Sequence, residues 1–152
     1  MRQRRILGTL VSVMCLLTPC LAHHMAVVVD KENKVQNVSS AHLAKIFKGE
    51  VKKWPDGRNL VLVLHKSSPD EITTLARLTK MTPAEIKAMI SQSTTAQGKE
   101  PIRTVESDAD VIEAVASTPG AIGLVEERSI NDRVAVVKVD GKLPMESGYL
   151  PH

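Results

Sequence analysis

Aromatic side chains are nearly missing from this 152-residue chain: Phe47, Trp54 and Tyr149 make up its 2%. Three rings cannot build the stacking platform that holds single-stranded nucleic acid, so a base-stacking binder is excluded. Cysteine is equally scarce. Cys15 and Cys20 both fall within the first 22 residues, so the rest of the chain has no disulfide, thiolate metal site or cysteine nucleophile. A charge imbalance is also lacking. The 20 Lys and Arg face 17 Asp and Glu, and three of the cations, Arg2, Arg4 and Arg5, open the chain. Without them the balance is neutral, and no polyanion partner is implied. No P-loop or dinucleotide fingerprint occurs, no serine carries a nucleophile-elbow glycine pattern, and no catalytic carboxylate pair is identifiable. A non-enzyme without a cofactor is therefore expected.

What is present begins with a leader. The three arginines precede an apolar run from Ile6 to about Ala22, and no acidic residue occurs before Asp30. A basic start, an apolar middle and a small residue at a plausible cut site read as a secretory signal peptide over 1–22. The run is short for a membrane span, which needs roughly 20 residues. A periplasmic chain with no stable membrane span after cleavage is expected, and lipidation at Cys20 is the alternative. Hydrophobic residues at 43% exclude disorder, and the remaining length suits one domain. This sets a domain over 23–142 and a loose tail over 143–152.

Within the domain, residues 26–29 and 60–64 are consecutive apolar runs, as in strands of a parallel sheet covered on both faces. Ser39 can cap a helix that Gly49 ends, with Leu43, Ile46 and Phe47 on its inner face and a Val38–Leu43 staple across its start. Ser68-Pro69-Asp70-Glu71 carries a cap, a first-turn proline and a capping-box glutamate. Thr82-Pro83-Ala84-Glu85 repeats that grammar, with Ile86, Met89 and Ile90 inward. Residues 92–101 read as a polar loop. Ser107 can cap a helix to about Ser117, and 121–125 and 134–139 read as strands. Strands alternating with helices indicate an α/β domain with a mostly parallel sheet flanked by helices.

One junction stands out chemically. At His65-Lys66-Ser67-Ser68 a strand runs into a helix N-terminus, where free N–H groups and the helix dipole favour an anion. Ser67 and Ser68 offer hydroxyls and Lys66 a charge, while Asp70 and Glu71 favour the plainer reading that Ser68 is only a cap. Gly98 and Lys99 form a further binding-loop candidate, with a solvated turn as the alternative. His23, His24 and Met25 at a mature N-terminus offer copper-type ligands, but nothing else in the chain completes a metal site.

In order, these segments resemble the phosphate ABC transporter substrate-binding protein family, in a short periplasmic-binding-protein-like form. The resemblance runs from about Met25 to Val139. It rests on Val27-Val28-Val29 with Asn33 and Val35, on Ile46-Phe47-Lys48-Gly49, on Trp54-Pro55-Asp56-Gly57, and on Pro119-Gly120-Ala121-Ile122-Gly123-Leu124-Val125. It implies a single lobe of the type 2 periplasmic-binding fold and a bound phosphate or similar small oxyanion. The family's Asp-Gly-Ser-Gly-Thr loop corresponds to Lys66-Ser67-Ser68-Pro69-Asp70, where only Ser68 is retained, Pro69 lacks an N–H and Asp70 brings a negative charge. A two-lobe binder needs roughly twice the length from 23 to 152. A homodimer or an envelope protein partner would then supply the opposing wall. The alternative is an interaction or sensor module without ligand, whose partner binds loops including Trp54 and Gly98.

Overall fold

The computed structural model describes residues 24–93 and 102–151. The segment over 1–22 read as a signal peptide, with both cysteines, and His23, Gly98 and Lys99 lie outside them.

Five strands form the central sheet: β1 (Met25–Asp30), β3 (Val61–His65), β4 (Ile102–Val105), β5 (Ala121–Glu126) and β6 (Val134–Val136), in the order β4-β3-β5-β1-β6. Four run in one direction. β3 is parallel to β4 and β5, and β1 is antiparallel to β5 and β6. The apolar run of β1 suggested a parallel neighbour. It reflects burial on both faces, which imposes the same composition whichever way the neighbours point. Two short strands, β2 (Asn37–Val38) and β7 (Lys138–Val139), pair in parallel beside the sheet.

The sheet has a core on each face. Val27, Val29, Leu62, Leu64, Ile122 and Leu124 point to one side. There they meet α1 (Ser40–Phe47), α2 (Pro69–Thr79) and α3 (Pro83–Ser93). The alternate residues Val28, Val63, Ala121 and Val125 point to the other, where α4 (Asp108–Ser117) brings Val111, Ile112 and Val115. This is the period-two alternation of strands, filled twice. α4 approaches β5 closely: a Cβ on Gly123 would lie 2.7 Å from Val111 Cγ1 and 3.1 Å from the Val63 carbonyl oxygen.

The caps form at the expected residues. Ser39, Ser68 and Ser107 each accept an N–H three residues on. In α3 the capping box closes fully. The Glu85 carboxylate accepts the Thr82 N–H at 2.6 Å, and the Thr82 hydroxyl oxygen accepts the Glu85 N–H at 3.2 Å. In α2 it does not, because Glu71 turns inward.

The chain end is not the loose tail expected. Tyr149 and Leu150 are buried in the main core. The Tyr149 hydroxyl donates to the Val137 carbonyl at 2.7 Å and accepts the Val27 N–H at 3.0 Å. The run over 134–139 is interrupted at Val137, whose own N–H bonds to the Val27 carbonyl at 2.9 Å, so the segment divides between β6 and β7.

Candidate functional site

The connection leaving β3 enters α2 on one face of the sheet, and the connection leaving β4 enters α4 on the other. Neighbouring parallel strands whose connections part in this way open a crevice outside their carboxyl ends, the usual ligand position in open α/β sheets. Here a groove of about 620 Å³ opens beside those ends, on the side of α2 and α3. Lys66 and Ser67 line it from the end of β3, Glu106 from the end of β4, and Lys87 and Ser91 from α3. Pro69, Ile72 and Pro83 supply apolar wall. The two strand ends are tied together by the Lys66 N–H, which donates to the Val105 carbonyl at 2.8 Å.

The expected anion loop divides. Lys66 and Ser67 reach the groove, both exposed. Ser68 is half-buried and works as the helix cap, its oxygen accepting the Glu71 N–H at 3.2 Å. Pro69 occupies the first helical position. The Lys66 ammonium lies 3.1 Å from the Glu106 carboxylate, so its charge already has a partner. Lys87 makes no ion pair with any described residue. It escaped sequence reading because α3 declared only its buried face. β4, which brings Glu106 alongside, followed a polar loop and was not recognised as a strand.

Behind this loop lies the Glu71 carboxyl group, fully buried, with its two oxygens 3.2 and 3.1 Å from the His65 N–H. Burial pushes its pKa well above the usual carboxylate value, the His65 N–H pulls it back in part, and the Asp108 charge adds to the rise. His65 Nδ1 in turn accepts the Ser67 N–H at 3.1 Å, which places the ring proton on Nε2. Glu71, His65 and Ser67 thus form one chain of bonds from the interior to the groove.

The other motif residues gather at the opposite end of the strands. The Trp54 indole N–H donates to the Gly120 carbonyl at 2.8 Å, and the Gly120 N–H donates to Asp30 Oδ2 at 3.0 Å. Asp30 also pairs with Arg58 at 3.3 Å. Trp54 is buried, so it is not an exposed cleft-side residue for a partner. Its turn and the Pro119-Gly120 turn hold each other and serve as scaffold. Met25 is likewise buried at the start of β1, which removes its thioether from any metal set with the histidines before it. Among the described residues no three His, Cys, Asp or Glu side chains converge as for a metal.

A mixed α/β sheet with a groove at the carboxyl ends of β3 and β4 defines an α/β lobe with an open groove. The chain belongs to the family whose model is described as the PBP superfamily domain, which matches residues 17–146. It is 30% identical over 125 residues to the phosphate-binding protein PstS of Bacillus subtilis, covering 79% of this chain and 37% of PstS. The fold is similar to PstS from Borrelia burgdorferi, with TM-score 0.62, 22% identity, and 80% and 49% of the two chains covered. It is also similar to an ABC-type phosphate transport receptor from Vibrio cholerae, with TM-score 0.57, 17% identity, and 80% and 48% covered. At such identities the solved structures establish the fold. The chain spans less than half the length of these relatives.

Proposed function

We propose that this protein is a non-enzymatic, periplasmic solute-binding domain that takes phosphate or a similar small oxyanion in the groove between the ends of β3 and β4. The observation that carries this reading is that Ser67, Lys66 and Lys87 line one groove beside the carboxyl ends of two neighbouring parallel strands. The Ser67 hydroxyl would donate a hydrogen bond, and Lys87 would bring an ammonium that pairs with no carboxylate among the described residues. Lys66 would exchange its exposed pairing with Glu106 for the anion. The names of the relatives point to the same ligand, and the apolar segment before residue 23 supports export.

Calorimetric titration of orthophosphate into protein unfolded and refolded to strip carried ligand tests the proposal. Micromolar binding that weakens about ten-fold in Lys87→Ala and several-fold in Ser67→Ala is expected. No heat and no thermal stabilisation at millimolar phosphate would overturn it.

One observation favours a second reading, an interaction module that keeps the fold without the ligand. Glu71 and Glu106 place the protein's own carboxylates against the junction where an anion would sit. Under that reading phosphate gives no heat, and an envelope protein or a second copy of the chain occupies the groove.

A further inference from the structure

The groove is much larger than an oxyanion of five heavy atoms. At about 620 Å³ it falls within the range of pockets that hold small organic molecules. Few of its side-chain donors are uncommitted. The Thr73 hydroxyl is engaged with the Pro69 carbonyl at 2.8 Å, and the Ser91 hydroxyl with the Lys87 carbonyl at 2.9 Å. The Ser67 hydroxyl and Lys87 are left to meet an anion, joined by Lys66 once it exchanges its pairing with Glu106. The rest of the wall includes carbon from Pro69, Ile72 and Pro83. Both prolines are fixed rings that lose no rotamer freedom when covered, so this wall is already organised for an apolar group. Bare phosphate would leave it wet.

We infer that the groove takes a phosphate monoester or phosphonate bearing a small uncharged apolar substituent, in preference to inorganic phosphate. The anionic head would sit against Ser67, Lys66 and Lys87, and the substituent would lie along Pro69, Ile72 and Pro83. The Glu106 carboxylate beside Lys66 disfavours a second anionic group on the ligand, so diphosphates and phosphorylated acids are poorer candidates. This inference rests on the oxyanion reading above and narrows it to a ligand class.

Calorimetric titration of a series comprising orthophosphate, methyl phosphate, butyl phosphate and phenyl phosphate tests it, with butanol and phenol as controls. Affinity is expected to rise along the alkyl series, with butyl and phenyl phosphate binding about ten-fold more tightly than orthophosphate. Lys87→Ala is expected to weaken every member, and the alcohols to give no binding. Orthophosphate binding as tightly as the esters would overturn this inference and leave the oxyanion reading intact. Alcohols binding as well as the esters would also overturn it, since the groove would then recognise carbon alone. Silence from every phosphate at millimolar concentration would overturn both.

Discussion

The Glu71 carboxyl group holds the His65 N–H from inside the protein, with both oxygens within 3.2 Å of the donor nitrogen. A glutamate at the third position of a helix ordinarily reaches back to its own cap, as Glu85 does at the start of α3. Glu71 faces the core and fastens the end of β3 to the first turn of α2.

Stability should fall with rising pH because of this group. Its folded pKa lies above the ordinary value of 4.5, so the native state binds more protons than the unfolded chain once pH passes that value. The contribution is fully present below 4.5 and is lost as pH rises through the folded pKa. Urea unfolding across that range should show the decline, and Glu71→Gln should flatten it. Glu71→Ala, which leaves the His65 N–H without this acceptor, should cost about 1–3 kcal/mol. A Glu71→Gln profile parallel to that of the unsubstituted protein would refute the assignment.

At high pH a second group takes over. Burial pushes the Tyr149 hydroxyl from 10.0 up to about 12, with the Val27 N–H acting the other way. Its contribution is intact below pH 10 and disappears between about 10 and 12 as the unfolded chain ionises first. Tyr149→Phe should remove that step and cost about 1–3 kcal/mol at neutral pH, because the Val27 N–H and Val137 carbonyl lose a partner. Thermal melts at pH 7 and pH 11 would read both effects. They would also show how firmly the last residues are attached.

The contact between Trp54 and Gly120 predicts an order of severity. Trp54→Phe removes the bond to the Gly120 carbonyl, which still accepts the Val61 N–H, so the cost is about 1 kcal/mol beyond lost packing. Gly120→Ala is worse. Its φ of 83° is the left-handed region, and an added Cβ would collide with the Asn59 carbonyl oxygen. A loss of about 3 kcal/mol or more is expected from backbone strain and overpacking together. Equal stabilities of the two variants in denaturant would contradict this account.

Electrostatics at the groove give a gain-of-affinity test. Glu106→Gln frees the Lys66 ammonium from its exposed partner. Oxyanion affinity should rise about two- to five-fold at low salt, the scale of a surface ion pair, and the gain should fade as salt is added. Weaker binding in Glu106→Gln would assign the carboxylate a direct role in holding the ligand.

The sequence alone determined the elements whose signals are local. Ser39, Ser68 and Ser107 cap their helices because a cap depends on the next three residues. The double-faced strands are legible as apolar runs because burial on both sides leaves no polar alternate. The ordered motifs also pointed to the family that the chain proved to belong to. Tertiary structure decided the rest, where residues distant in sequence meet. The direction of β1 depends on pairing, which its composition does not encode. The strand over 102–105 is half-buried and lacked a clear pattern, so nothing local placed Glu106 beside Lys66. Glu71 and Glu85 share one local grammar, and only the packing around Glu71 turned its carboxylate inward. Trp54 and Gly120 lie 66 residues apart, and their hydrogen bond made scaffold of motifs that looked like loops beside a cleft. Lys87 entered the groove because α3 folds back against the end of β4, a placement set by the shared core and invisible along the chain.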